Sequence, residues 1–159
     1  MNKLWAPWRM EYIREKRDKD EGCVFCIKFG SKNDRDNLVL HRGKNAFVLM
    51  NLYPYNPGHL LVCAYRHVAD LTDLTDEERN EISALTAHAM QTIRKVSAPE
   101  GFNLGMNQGA ISGAGVAAHI HQHVVPRWSG DANFMPIIGQ TKVLPQLLTI
   151  TRSEIAAAW

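Results

Sequence analysis

Three histidines occupy alternate positions in the segment HIHQHVVPRW, which begins at His119. The chain has only seven histidines, so nearly half of them lie in this short stretch. Alternate side chains of a β-strand share one face, so His119, His121 and His123 would form a row with steps of about 6–7 Å. Every buried imidazole has a donor and an acceptor that need partners. A row of three is therefore poorly explained as core packing and predicts a functional site.

Two chemistries use imidazoles in such a row. In the first, all three ligate a metal ion, although three ligands in line are splayed too widely to close a tetrahedron. In the second, the middle imidazole, His121, attacks a phosphorus atom while its neighbours orient it and handle charge. That reaction needs fixed donors for the phosphoryl oxygens. The preceding segment SGAGVAA, with Gly113 and Gly115, can present backbone N–H groups, which favours the second interpretation.

One pair of cysteines forms a second candidate site. Cys23 and Cys26 are separated by two residues, the spacing of many zinc ligands. A tetrahedral site needs two more ligands, and none lies nearby in the sequence. Two packed free thiols or a redox pair remain as alternatives. The third cysteine, Cys63, lies in an apolar stretch and is interpreted as a small core residue.

The composition is that of an ordinary globular domain. The chain has 159 residues, of which 45% are hydrophobic and 21% are charged, and we expect one domain over 1–159. Within it, 1–22 forms an N-terminal arm and 129–159 a C-terminal extension. A net charge of +2 is too small to indicate nucleic acid as a partner. Neither a membrane span nor a signal peptide is recognisable, which predicts a cytoplasmic protein.

The elements that must position these groups predict an α+β fold. Apolar residues alternate on both sides of the segment RGKN at 42–45, which indicates a hairpin, and HLLVCAY predicts a third strand. The clearest helix starts at Thr75, where Glu78 three residues later completes a capping box. Two more strands follow, GFNLGM and the histidine segment. We expect an antiparallel meander of about five strands, one long helix and a C-terminal helix that packs through Leu144, Leu147 and Leu148.

Several segments together resemble the histidine triad (HIT) family. The segment from His119 to Val125 matches the family motif His-φ-His-φ-His-φ-φ except at Gln122, which would point away from the site. The segments NLYPYNPGHLLV and NLGMNQG resemble other family motifs, and WAPWRMEYI and PRWSGDANF resemble the subgroup that acts on diadenosine polyphosphates. The resemblance implies a HIT-like fold and a homodimer.

The resemblance also implies roles for four histidines. His121 would be the nucleophile that forms a covalent nucleotidyl-histidine intermediate. His123 would contact the phosphate and assist the leaving group, and His119 would support the site from the other side. His59, in the motif Pro-Gly-His, would lie beside the triad and form a hydrogen bond with it.

The substrate would contact polar and small residues from three segments. By the resemblance, Asn51 would bind the ribose hydroxyls, and Asn107 and Gln108 would face the phosphates. Gly113 and Gly115 would complete the phosphate-binding loop. The substrate that this arrangement implies is a dinucleoside polyphosphate or an AMP-like nucleotide.

Two further zinc ligands are implied by the same resemblance. Family members that keep the cysteine pair complete the site with a histidine after the third strand and with the first triad histidine. In this sequence those residues are His67 and His119, which would join Cys23 and Cys26 around a structural Zn²⁺. His119 would then be a metal ligand instead of a substrate contact.

The resulting functional hypothesis is nucleotidyl transfer from diadenosine tetraphosphate. The acceptor would be inorganic phosphate, which makes a phosphorylase that releases ADP, or water, which makes a hydrolase that releases AMP. One alternative is a purine-nucleotide phosphoramidase of the same family. Another is a zinc-stabilised module that binds nucleotides without turnover, although a binding module has no need of a nucleophile.

Overall fold

The computed structural model describes residues 22–131 and 144–159. Within those ranges the chain forms five β-strands and three α-helices. The strands are β1 Val39–Arg42, β2 Ala46–Met50, β3 Leu60–Ala64, β4 Gly101–Met106 and β5 His121–Arg127. The helices are α1 Val24–Gly30, α2 Asp76–Ser97 and α3 Leu148–Ala158. The predicted N-terminal arm lies, apart from Gly22, outside the described residues.

All strands form one antiparallel sheet in the order β1-β2-β3-β5-β4. The predicted antiparallel α+β architecture is confirmed, but the sheet is not a meander throughout, because β5 lies between β3 and β4. The reason is α2, whose 22 residues span roughly 33 Å. This helix carries the chain across the sheet to its far edge, and β5 then returns to fill the gap beside β3.

The larger core lies between the sheet and the helices α2 and α3. Val48, Val62 and Val124 point to this face and pack in one cluster with Ile93 of α2 and Ile155 of α3. The cluster is fully buried, so it supplies most of the apolar area that stabilises the fold. None of the helices in the described part of the chain combines the length and apolar character that a membrane span requires.

Helix α2 begins where the sequence predicts. The Thr75 hydroxyl accepts the N–H of Glu78, and the Glu78 carboxylate accepts the N–H of Thr75, so the capping box is complete. Helix α3 differs in detail from its prediction. It begins at Leu148, and Leu147 is 70% exposed, because the buried positions of this helix are Thr151 and Ile155.

A second, smaller cluster covers the opposite face of the sheet. Phe25 of α1 packs there with Phe47, Leu49, Leu61 and Cys63. The sequence interpretation missed α1, since a seven-residue helix gives little periodicity and its start carries no side-chain cap. Cys63 is fully buried in this cluster, in agreement with its interpretation as a core residue. The functional residues lie between α1 and this face.

Candidate active site and metal cluster

The first histidine of the row, His119, lies outside the strand that carries the other two. Strand β5 begins at His121 and not at His119, because His119 lies on a bend and the N–H of Ile120 bonds to the carbonyl of Val68. His121 and His123 follow the alternation of the strand and face α1, with ring centroids 4.9 Å apart. His119 lies outside the strand but also on the α1 side, where its ring packs against Phe25 with centroids 5.3 Å apart.

One ring nitrogen of His121 forms a hydrogen bond to the backbone, and the other carries a lone pair. The residue is buried, and its Nδ1 donates to the backbone carbonyl of His119 over 2.8 Å. That bond assigns the proton of the neutral ring to Nδ1 and leaves the lone pair on Nε2. The ring of Phe25 lies 5.0 Å away between centroids. Burial lowers the pKa of the His121 imidazole, which favours its neutral form.

His59 joins the site through a directed chain of hydrogen bonds. Its Nδ1 accepts the N–H of Tyr55 at 3.0 Å and faces the side-chain amide of Asn51 at 3.3 Å. The proton of the neutral His59 ring is thereby assigned to Nε2, which donates to Nδ1 of His123 over 2.9 Å. His123 in turn carries its proton on Nε2. These hydrogen bonds thus make His123 a donor next to His121, the candidate nucleophile.

The turn before β3 delivers His59 and adds a residue that sequence reasoning missed. Gly58 has a φ of +75°, a conformation that glycine adopts without strain, and His59 is fully buried just beyond it. The ring of Tyr55 stacks on His123 at 5.6 Å with an interplanar angle of 12°. An aromatic residue in a Pro/Gly-rich turn is the only sequence signal for this contact, and it does not specify a partner.

A cavity of about 310 Å³ opens in front of His121 and His123. Four of the residues expected to bind substrate line it: Asn51, Asn107, Gly113 and Gly115. Gln108 is not among the described residues that line the cavity, and its side-chain oxygen accepts the N–H of Leu71 over 2.6 Å. Most other lining residues are apolar, among them Val24, Phe25, Leu49, Leu61 and Val116.

Lys28 is the only Lys, Arg, Asp or Glu among the described residues that line this cavity. Its Nζ donates to the backbone carbonyl of Asn37 over 3.0 Å. Partial burial lowers the pKa of the ammonium group. Sequence reasoning did not single out Lys28, because a lysine near the end of an unrecognised helix gives no signal of the cavity.

The cysteine pair meets two histidines at the other end of α1. The ligand atoms of Cys23, Cys26, His67 and His119 all lie within 4.8 Å of one another. Three of the distances between Sγ and Nδ1 are 3.4, 3.4 and 3.6 Å. A tetrahedral zinc ion with Zn–S near 2.3 Å and Zn–N near 2.0–2.1 Å separates neighbouring ligand atoms by about 3.5 Å. The four side chains therefore fit one such ion.

His119 is oriented toward this cluster and not toward the cavity. Its Nε2 donates to the carbonyl of Ala64 over 2.9 Å, which leaves the lone pair of Nδ1 facing Cys23 and Cys26. A backbone partner that fixes the ring in this way is typical of metal-ligating histidines. The backbone carbonyl of His119 accepts the hydrogen bond from Nδ1 of His121. The residue thus links the metal cluster to the candidate nucleophile.

A HIT domain family model matches residues 32–130. The chain belongs to the HIT domain family. It is 48% identical to a protein of Mycobacterium tuberculosis named AP-4-A phosphorylase, over all of this chain and 85% of that protein. It is 36% identical to the asymmetrical bis(5'-nucleosyl)-tetraphosphatase of Schizosaccharomyces pombe, over 64% of this chain and 55% of that protein.

Solved structures agree with this assignment. The chain resembles a Zn-bound histidine triad family protein from Mycobacterium smegmatis with a TM-score of 0.69 and 26% identity. The match covers 86% of this chain and 92% of that structure. The resemblance that the sequence motifs predict is therefore confirmed.

Proposed function

We propose that this protein transfers a nucleotidyl group from diadenosine tetraphosphate through a covalent intermediate on His121. The observation that carries the proposal is the orientation of that ring. Its Nδ1 is tied to the carbonyl of His119, so the lone pair of Nε2 is available at the cavity that His121 lines. The names of the Mycobacterium tuberculosis and Schizosaccharomyces pombe relatives support the substrate class.

In the first step Nε2 of His121 attacks the α-phosphorus of one adenosine. The new N–P bond replaces the bond between that phosphorus and its bridging oxygen, so ATP leaves and AMP stays on the ring. His123 donates from Nε2 to the phosphoryl or departing oxygen, where negative charge develops. Asn107 and the backbone of Gly113 and Gly115, which line the same cavity, bind the remaining phosphoryl oxygens.

In the second step an acceptor oxygen displaces His121 from phosphorus. Inorganic phosphate yields ADP, and water yields AMP. The name of the Mycobacterium tuberculosis relative favours phosphate. The test is incubation with diadenosine tetraphosphate with and without phosphate. ADP formed only with phosphate supports phosphorolysis, AMP formed without phosphate supports hydrolysis, and no turnover under either condition contradicts the substrate assignment.

The same proposal includes a structural zinc ion held by Cys23, Cys26, His67 and His119. Four protein ligands close the coordination shell, so the ion would supply folding free energy and no open position for a substrate. It would fasten α1 to the loop after β3 and to the start of β5. The Zn-bound solved relative supports this assignment.

We further propose a homodimer in the cytoplasm, with the edge strand β4 at the interface. The other edge of the sheet is occupied, since the N–H of Val39 bonds to Asp34 and its carbonyl accepts two bonds from Arg152. β4 has no second partner strand in the described part of the chain, and its Leu104 is 49% exposed. An open edge with an exposed leucine is suited to pairing with a second copy.

The proposed cytoplasmic location is supported by the cysteines. Those among the described residues form no disulfide, which agrees with a reducing compartment.

A further inference from the structure

One row of side chains crosses the sheet beneath the cavity. His123 on β5 pairs with Leu61 on β3, Leu61 pairs with Leu49 on β2, and Leu49 pairs with Val39 on β1. Adjacent strands are about 4.7–4.9 Å apart, so the row spans roughly 14 Å. Its first member lies at the reaction centre, and its middle members are buried leucines.

Lys28 lies at the far end of that row. Its ammonium bonds to the carbonyl of Asn37, two residues before Val39. Helical spacing places Lys28 on the same side of α1 as Val24 and Phe25, which also line the cavity. By contrast, Ile27 points outward and is 53% exposed. The cavity therefore has histidines at one end, an apolar middle and one ammonium group at the other end.

This layout matches the order of groups in a nucleotide. The reacting phosphorus must lie at His121, and the apolar floor of Leu61 and Leu49 suits the flat face of a base. The part of the substrate that can reach Lys28 is then the far edge of the base. A lysine ammonium has three N–H donors and no acceptor, and one donor is used by Asn37. The remaining two donors can bond to an acceptor that the ligand supplies.

We propose that Lys28 is a specificity-determining residue that donates a hydrogen bond to a ring nitrogen of the purine in the cavity. Adenine offers N1, N3 and N7 as acceptors, whereas its amino group offers only donors that a lysine cannot accept. The inference rests on the proposed function only for the direction in which the nucleotide lies. It concerns recognition, so binding of AMP tests it without any turnover.

The experiment is a double-mutant cycle between Lys28 and the base. Calorimetry compares AMP with its 1-deaza, 3-deaza and 7-deaza analogues, on the zinc-loaded wild-type protein and on the Lys28→Met variant. We expect Lys28→Met to weaken AMP binding about 10-fold, as for loss of a hydrogen bond to a charged group. One of the three deaza analogues should bind wild type about 10-fold more weakly than AMP does, and should bind the Lys28→Met variant as tightly as AMP does.

Lys28→Arg, which keeps a cationic donor, should retain part of the affinity. Zinc content and thermal midpoint of each variant show whether α1 is intact, since Lys28 also bonds to Asn37. Additive losses for all three analogues, equal affinities of wild type and Lys28→Met, or no binding of AMP to wild type would each overturn the inference. Turnover of diadenosine tetraphosphate is scored separately. If wild type turns over diadenosine tetraphosphate but Lys28→Met binds AMP as tightly as wild type, only the inference about Lys28 is refuted. If Lys28 and one ring nitrogen are coupled in AMP binding but wild type shows no turnover, only the proposed function is refuted.

Discussion

The proposed role of His121 depends on one hydrogen bond between residues that are close in sequence and on one between residues that are far apart. The carbonyl that orients its ring belongs to His119, two residues earlier. The donor beside it, His123, is oriented by His59, which is 64 residues away. The proposed nucleophile and the proposed donor thus lie on one strand, while the bonds that set their tautomers come from two different parts of the fold.

Replacement of His121 by alanine should abolish turnover of diadenosine tetraphosphate, with a loss of about 10³-fold or more, because the covalent route has no other nucleophile in line. Product formation by chromatography measures the loss, and mass spectrometry of wild type should detect the nucleotidyl adduct. His41→Ala is the matched control. His41 stacks on Trp159 and does not line the cavity, so this variant should keep most of its activity. Substantial turnover by His121→Ala would disprove the mechanism.

Helix α2 depends on one buried carboxylate at its first turn. Glu78 accepts two bonds from Arg66 and one from the N–H of Thr75. The Arg66 guanidinium is the main cause that holds the pKa of Glu78 below its usual range. A lowered folded-state pKa means that the stabilisation is present above the unfolded value of about 4.3 and is lost as the pH falls through the folded value.

Glu78→Gln should therefore lower the free energy of unfolding by about 1–3 kcal/mol at pH 7. The difference from wild type should be smaller at pH 3, because a smaller fraction of Glu78 keeps its charge as the pH falls toward the lowered folded-state pKa. Urea unfolding at the two pH values measures it. Glu77→Gln, at an exposed position of the same turn, should change stability by no more than about 0.5 kcal/mol. An equal loss for Glu78→Gln at both pH values would contradict the electrostatic explanation.

Helix α1 is the element that the proposed zinc ion would hold in place. Cys26→Ala should remove about one zinc per chain and lower the thermal midpoint by roughly 5 °C or more, because three ligands cannot hold a closed structural site. Metal analysis and thermal unfolding measure the two effects. Cys63→Ala removes a thiol from the core beside the site and should keep its zinc. If Cys26→Ala retained a full equivalent, the ligand assignment would be wrong.

At the scale of the whole molecule, the two edges of the sheet differ. β1 is closed by Arg152 and Asp34, whereas β4 presents Leu104. Leu104→Arg should weaken the proposed dimer by at least about 10-fold, because like charges and a desolvated guanidinium would meet across the interface. Sedimentation across a concentration series measures the dissociation constant. Leu147→Arg, at a site 70% exposed and outside the sheet, should leave it unchanged. Equal effects of the two variants would exclude the β4 interface.

Local features of this protein were predictable because they depend on short sequence spacings. The capping box at Thr75 joins residues three apart, and the alternation of His121 and His123 follows from strand geometry alone. The helix α1 was missed because seven residues and an uncapped start give little local signal. Lys28 and Tyr55 were missed for a related reason, since their roles depend on surfaces that the chain forms only when folded.

The sequence by itself determined the histidine motif, the cysteine spacing, the antiparallel α+β class and the family. The tertiary structure decided how the three imidazoles are shared between two sites. A bend before β5 turns His119 toward Cys23, 96 residues away in the chain, while β5 keeps His121 and His123 at the cavity. Spacing in a sequence fixes the faces within one element, but contacts between distant residues depend on how the elements pack. That packing places the first histidine in the metal cluster and the second, the proposed nucleophile, at the cavity.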